Sequence, residues 1–409
     1  VPHLLFISPR FLFPMDQGGK IRTGNILKAL KGGAFEIVLA SPVPNNVHDY
    51  QNDIETVSDE FLSWPAPSGS KIRRLAALFD TAPIGAATDR SRTGSAVVAA
   101  ALAGRPDVIV VDFPHAAVLL PQGRNWTESA SVMFTHNVEA EIFERHADVA
   151  TGIWRAVWRD QSRKMRRFED ETLNRFDSVI AVSERDAMVL RKNYDLSHVD
   201  AIDTGVDLDF YRFAEAGDAP SFDKTGGSIV FTGAMAARAN IDGIAFLMDE
   251  IWPLVIRDRP NARAVIVGRN PPAELVARAK SRNLNWHFTG FVEDIRPHVA
   301  ANHVSVIPLR VGSGTRIKAF EAMSMGRPVV STTVGVEGLD IAPGEHYLNA
   351  DTAGDFAAAI LRLLGDDALR ESMARAARKR VEDRFSWAQV ARQFEAICHD
   401  ALSRKGAIP

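Results

Sequence analysis

Apolar runs punctuate the first half of the chain: HLLFIS (3–8), FEIVLAS (35–41), DVIVVD (107–112), SVMFTH (131–136), SVIAVS (178–183) and VDAID (199–203). They are short, rich in branched side chains and lack polar alternation, which predicts strands covered on both faces. Helical spacing between them predicts helices near 19–31, 93–103, 151–176 and 184–193. Strand–helix alternation of this kind builds a parallel, doubly wound sheet.

The pattern pauses over 204–227, a polar, Gly-rich and aperiodic stretch that reads as a linker. A second alternation then begins, with SIVFTGAM (228–235), ARAVIVG (262–268), LNWHFTG (284–290), VSVIP (304–308) and RPVVST (327–332) as strands. Helices are expected near 240–257, 272–282, 293–301 and 315–325. The predicted organisation is an α/β domain over 1–203, a linker, a second α/β domain over 228–384, and a terminal helix over 385–409. In that helix Trp387, Val390, Ala391, Phe394, Ile397 and Leu402 form one stripe. So apolar a stripe must dock, and the first domain is its expected partner. Two such sheets facing each other create a cleft at the carboxyl ends of their strands, where open α/β sheets bind ligands.

Composition narrows the class. The 409 residues are 46% apolar and 24% charged, enough for two sizeable cores. A formal net charge of -3 gives no global reason to expect nucleic acid. The single cysteine, Cys398, excludes an internal disulfide and a cysteine-based zinc site. No apolar run reaches the ~18 residues that span a bilayer. The sequence enters a strand pattern at once, without the shape of a signal peptide, so a cytoplasmic protein is expected.

The chemistry concentrates in SGTRIKAFEAMSMGRPVVST (313–332). VSVIP is a strand, so LRVGSGT is its carboxyl-end loop. Gly312 and Gly314 let the backbone approach a ligand, and Ser313 or Thr315 can cap a helix starting near Arg316. Free amides and the helix dipole favour an anion there, phosphate above all. Lys318 and Glu321 share a helix face. A lysine neutralises phosphate, and a carboxylate accepts two hydrogen bonds from a vicinal diol. A ribose joined to a diphosphate offers both, so the expected ligand is a nucleoside diphosphate. The plain alternative is a surface ion pair after an ordinary loop.

The stretch GSGTRIKAFEAMSMGRPVVSTTVGVEGL (312–339) resembles the donor-binding signature of the retaining glycosyltransferases of family 4. DQGGKIR (16–22), THNVEAE (135–141), AVSERD (181–186), TGVDLDFY (204–211) and RFSWAQVARQFEAI (384–397) resemble further stretches of that family, in its order. The resemblance implies the GT-B fold, two Rossmann-like domains across a cleft with the last helix crossing back. It implies that Glu321 binds the nucleotide ribose. Gly18 and Gly19 would form a glycine turn whose amides approach the donor phosphates. His136 would contact the transferred sugar near the reaction centre, with Asn137 and Glu139 shaping the acceptor side.

Three positions depart from the commoner family pattern. Ser313 stands where a first glutamate touches the donor sugar, so that contact falls to its hydroxyl and to amides around Gly314 and Thr315. Ala234 and Asn240 stand where an Arg and a Lys clamp phosphate. The diphosphate charge then rests on Lys318, helped by Arg316 or Arg238. The implied reaction retains the anomeric configuration, with the departing diphosphate accepting the acceptor's proton. It implies no cofactor and no essential metal. Asp207 and Asp209 resemble an Asp-x-Asp metal pair but sit in the expected linker, where turn capping is their expected use.

TGIWRAVWRDQSRKMRRFEDE (151–171) is amphipathic, with a dense basic face of Arg155, Arg159, Arg163, Lys164, Arg166 and Arg167, and KIRRLAALF (71–79) repeats the theme. It reads either as a core-packed helix with a solvated face or as a dock for anionic lipid. Expected partners are thus a nucleotide-sugar donor, a glycan or lipid-linked acceptor and an anionic membrane surface, with no nucleic acid. Competing readings are a nucleotide-sugar 2-epimerase, which needs a carboxylate pair the sequence does not supply, and a non-catalytic nucleotide-sugar-binding subunit. A dehydrogenase is disfavoured because PRFLFPMDQGG (9–19) lacks the G-x-G-x-x-G turn.

Overall fold

The computed structural model describes residues 1–66, 75–121, 126, 128–213, 226–235, 237–311 and 316–406. The chain forms two compact units, Val1–Thr204 with Trp387–Pro409, and Gly205–Ser386.

In the first unit β1 (His3–Ile7), β2 (Glu36–Val43), β3 (Glu60–Pro65), β4 (Val108–Asp112), β5 (Ala130–Phe134), β6 (Ser178–Ala181) and β7 (Val199–Ala201) form one sheet, ordered β3-β2-β1-β4-β5-β6-β7. All pairings are parallel, and β1 pairs Leu4 with Ile37 on one side and with Val108 on the other. The order reverses between β1 and β4, the switch point at which such sheets open a crevice. Helices α1 (Gly18–Leu30), α2 (Arg92–Ala103), α3 (Glu139–Val149), α4 (Gly152–Leu173) and α5 (Glu184–Tyr194) connect the strands.

The unbroken apolar runs have a simple cause. Leu4 and Phe6 enter one core and Leu5 and Ile7 the other, on opposite faces of the same strand. A strand buried on both faces is mostly apolar, and a polar residue it does hold is hydrogen-bonded, as Ser131 of β5 is to Asp177. The helix Trp387–Gly406 belongs to this unit and covers the Leu4–Phe6 face. Its Phe394 ring lies 6.5 Å from Phe6 and 5.5 Å from Phe134. Cys398 lies in the buried stripe, while Trp387, Ile397 and Leu402 are half-buried at its margins.

In the second unit β8 (Ser228–Thr232), β9 (Arg263–Val267), β10 (Trp286–Gly290), β11 (Val304–Ile307), β12 (Val329–Ser331) and β13 (Leu348–Asn349) form a parallel sheet ordered β10-β9-β8-β11-β12-β13. Its helices are α6 (Arg238–Phe246), α7 (Ala273–Ser281), α8 (Ile317–Ser324), α9 (Ala353–Gly365) and α10 (Asp367–Arg384). The single helix expected over 240–257 is broken into α6, a π turn at Leu247–Ile251 and a helix Trp252–Asp258. Pro253, which lacks an amide hydrogen, opens that last piece.

The pattern does not predict β3, α3 or β13. β3 is an edge strand and only partly buried; α3 is polar; β13 has two residues. The expected linker also needs correction at its start. Residues 205–211 pack into the second unit, where the Val206 amide donates to the Phe385 carbonyl at 2.7 Å. Asp207 Oδ1 accepts from the amides of Asp209 (3.0 Å) and Phe210 (2.8 Å), so this carboxylate closes a turn. The segment looks aperiodic because it is a capped turn.

Candidate functional site

Polar side chains gather at the carboxyl ends of strands in each unit. In the second unit the centre is Lys318, in the first turn of α8. Its Nζ donates to Asn240 Oδ1 at 3.0 Å and lies 4.3 Å from the ring centroid of Phe231. Asn240 Nδ2 in turn donates to the Ala234 carbonyl at 2.8 Å. Two of the three positions that depart from the commoner pattern, Ala234 and Asn240, are therefore bonded to each other, and Asn240 holds the lysine. A β-carbon at Gly233 would come within 2.9 Å of Lys318 Nζ and 2.8 Å of Asn240 Nδ2, so glycine keeps that corner open. One helical turn on, Glu321 Oε1 accepts from the Tyr211 hydroxyl at 2.9 Å.

Both groups are half-buried. Burial draws the Lys318 ammonium down to about 8; Glu321 opposes this and Arg316 adds to it. Burial pushes Glu321 up from the usual carboxylate range, against the pull of Tyr211 and Lys318. The unit thus holds a costly cation and a costly anion side by side, the lysine on an amide oxygen and the glutamate on a phenol.

Gly312, Ser313, Gly314 and Thr315 lie outside the described residues. The helix begins at Ile317 with Arg316 at its cap position, and the Arg316 side chain does not cap it. Arg316 is not turned outward to share a phosphate: it is 6% exposed, its Nε donates to the Val334 carbonyl at 3.1 Å, and its guanidinium is 4.0 Å from Glu337. It braces the turn after β12 against the start of α8. Arg238 is exposed in the first turn of α6.

In the first unit the centre is Asp112, the buried last residue of β4. His136 Nε2 donates to Asp112 Oδ1 at 2.6 Å. Ser8 Oγ donates to Asp112 Oδ2 at 3.1 Å, and Thr23 Oγ1 lies 3.2 Å from the same oxygen. Arg22 Nη1 sits 3.4 Å from His136 Nδ1, and Nη2 donates to the Thr204 hydroxyl. His136 is 4% exposed and both its nitrogens have partners, so the structure places it inside a buried network. Burial lowers its pKa; Asp112 opposes this, and Arg22 and Arg10 reinforce it. Burial also lowers Arg22 to about 10.

Gly18 and Gly19 are not a turn ahead of the helix: they are the first two residues of α1, with Gln17 at the cap position and no capping side chain. Their amides point along the helix entrance without intrahelical partners. A β-carbon on Gly19 would lie 2.9 Å from the Phe113 ring. Asn137 is exposed and donates to Glu139 Oε1 at 3.4 Å; burial raises the Glu139 pKa. The amides of Glu139 and Ala140 donate to Glu169 at 2.8 and 3.1 Å, so a carboxylate of α4 caps α3. Tyr194 donates to the same Glu169 at 2.7 Å, and burial pushes that carboxyl up to about 7.

Asp112, Glu169 and the bonding of Asn240 escape a reading by motif, while Arg22 and Tyr211 end the stretches DQGGKIR and TGVDLDFY without a role that the motif assigns. Asp112 alone leaves a clear signal: a carboxylate closing the otherwise apolar run VIVVD.

The basic face of α4 is less free than its composition suggests. Arg166 pairs with Glu144, Arg167 with Glu171 and Lys164 with Asp160. Trp158 stacks on His146 of α3 at 4.8 Å, whereas Ile153 and Trp154 are exposed. Residues 71–74 of the second basic stretch lie outside the described residues. Among the described residues no helix is long and apolar enough to cross a membrane.

Residues 21–210 match the family described as Glycosyltransferase Family 4, and residues 226–366 match the one described as Glycosyl transferases group 1. Phosphatidyl-myo-inositol mannosyltransferase of Mycolicibacterium smegmatis is 29% identical over 206 residues, which cover 48% of this chain and 52% of that protein. The chain therefore spans about half the length of that curated relative. Sucrose-phosphate synthase from Thermosynechococcus elongatus has a similar structure, with a TM-score of 0.67 at 18% identity over 98% of this chain and 100% of that one. Anabaena HepE in complex with UDP gives a TM-score of 0.65 at 15% identity over 97% and 100%. These likenesses are of fold, that of the GT-B glycosyltransferases with two parallel-sheet Rossmann-like domains. A glycosyltransferase family model matches most of each unit, in chain order.

Proposed function

We propose that the protein is a retaining glycosyltransferase that moves a sugar from a nucleoside diphosphate to an acceptor hydroxyl without an essential metal. The observation that carries this reading is the Lys318–Asn240 contact beside Glu321–Tyr211. A dehydrated ammonium on a neutral amide oxygen gains most when an anion replaces that oxygen, and a carboxylate one turn away suits a ribose diol. The UDP complex of a fold neighbour supports a nucleotide donor, and the mannosyltransferase relative supports sugar transfer.

In this reaction Lys318 stabilises the charge that grows on the departing diphosphate. Glu321 orients the nucleoside. The acceptor enters on the face the diphosphate leaves, and a departing phosphate oxygen takes the acceptor's proton. In the acceptor-side unit His136, held by Asp112 and Arg22, lies beside the transferred sugar, with Asn137 and Glu139 near the acceptor. The acceptor is a glycan or lipid-linked hydroxyl, and the exposed Ile153 and Trp154 on basic α4 suit work at the cytoplasmic face of a membrane.

The test combines calorimetry with product analysis. Wild-type protein should bind one of UDP, GDP and ADP, and Lys318→Ala should bind that nucleotide at least tenfold more weakly. Proton NMR of a transferred sugar should show the donor's anomeric configuration, and turnover should persist in EDTA. Unchanged affinity in Lys318→Ala removes the site. An inverted product removes retention, and loss of turnover in EDTA removes metal independence. Epimerised donor with no transfer would favour the isomerase reading.

A further inference from the structure

Phe113 combines an unusual backbone with polar surroundings. It follows β4 directly, with φ 69° and ψ 138°. Residues with a β-carbon rarely occupy that region, and strained backbone of this kind collects at functional sites. The next residue, Pro114, keeps ψ extended, and the Phe113 amide donates to the Phe134 carbonyl at 2.9 Å. These constraints set the ring over the imidazole of His136, with centroids 4.0 Å apart and planes 19° apart.

The ring is half-buried, whereas the imidazole beneath it is 4% exposed. Polar groups also flank it. The Arg10 guanidinium lies 5.6 Å from its centroid and the His115 ring 5.1 Å. Gly19 passes so close that any β-carbon there would strike the ring. A purely structural phenylalanine needs neither a positive φ nor a glycine opposite it.

We propose that Phe113 is a positioning residue of the transfer site: its ring seals the Asp112–His136–Arg22 network from water and forms an apolar wall against which the sugar is placed. The proposal rests on the reading that His136 lies beside the transferred sugar. It assigns to one side chain the exclusion of water that a cation-like sugar requires. Aromatic faces also suit the C–H face of a pyranose, so the ring can stay in place while sugar replaces solvent above it.

Two readouts test it, one independent of activity. Deuterium exchange at the imidazole C2 position, followed by mass spectrometry, should be slow at His136 in wild type. It should speed up at least about fivefold in Phe113→Ala, with exposed His48 as the internal control. Phe113→Tyr should restore the slow rate. In turnover assays Phe113→Ala should raise donor hydrolysis relative to transfer about tenfold, a change of 1.4 kcal/mol in partition, and Phe113→Tyr should restore the ratio. Phe113→Gly, which accepts the positive φ, gives the same readouts if the alanine variant does not fold. Unchanged exchange at His136 overturns the proposal, because the ring is then no cover. Faster exchange with an unchanged hydrolysis ratio also overturns it, leaving the ring as core packing while the transferase reading stands. A wild-type protein that turns over no donor sinks both, by a result distinct from either of these.

Discussion

Lys318 should take up a proton when it binds a diphosphate, and the size of the effect can be worked out in advance. In the free protein burial holds the ammonium near 8 instead of 10.5. A diphosphate in place of the Asn240 oxygen favours the charged form and moves the value back up. Full recovery would couple about 3.4 kcal/mol to binding, at 1.36 per pKa unit. Because Lys318 is only half-buried, solvent screening reduces this to about 1–2 kcal/mol. Nucleotide affinity should be flat below about pH 7.5 and fall as pH rises through 8, losing roughly tenfold or more by pH 10. Calorimetry in two buffers of different ionisation enthalpy counts the protons directly. Uptake should be about 0.1 at pH 7 and peak at roughly 0.4–0.7 between pH 8 and 9. Lys318→Arg provides the control, since a guanidinium stays charged across this range and the pH dependence should vanish. The sign for stability is opposite. Between 8 and 10.5 the unfolded chain binds the proton more tightly, so the charged lysine costs stability below pH 8, and that cost fades as pH rises. Lys318→Met should therefore leave the unliganded protein as stable or more stable at pH 7. Affinity that is flat from pH 7 to 9.5 in wild type, or that falls equally in Lys318→Arg, would refute the argument.

Three further outcomes are expected. Glu321→Gln should weaken UDP binding about tenfold while leaving inorganic pyrophosphate unaffected, because only the nucleotide carries the diol; equal losses for both ligands would assign Glu321 to the phosphates. Phe394→Ala removes a ring buried against Phe6 and Phe134 and should cost about 3–5 kcal/mol in denaturant unfolding; a loss under about 1 kcal/mol would mean that the last helix is not part of the first unit's core. For the basic helix, Arg155, Arg159 and Arg163 remain once Lys164, Arg166 and Arg167 are paired. At about 1 kcal/mol each, reversing these three to Glu should abolish flotation with phosphatidylserine vesicles. Flotation that survives the reversal would place the contact elsewhere.

The fold was legible in the sequence because parallel strands buried on both faces are mostly apolar and therefore stand out. In β1, Leu4 and Phe6 against Leu5 and Ile7 divide between two cores, and the run announces itself. Edge strand β3 and two-residue β13 feel no such constraint and leave no pattern. The site was legible only in part, for a different reason. Motifs mark residues that face a ligand, whereas buried partners are chosen by distance across the fold. Glu321 stands in a recognisable helix, but Tyr211, which holds it, sits 110 residues earlier in a capped turn. Asn240 makes the point most sharply. By motif it is the loss of a phosphate-binding lysine. In the fold its amide oxygen receives Lys318 and its amide nitrogen ties back to Ala234. A second cation at Asn240 would press a like charge on an ammonium that burial already weakens. Asn240 and Ala234, the two positions without the expected cations, are thus joined to Lys318 in one hydrogen-bonded chain.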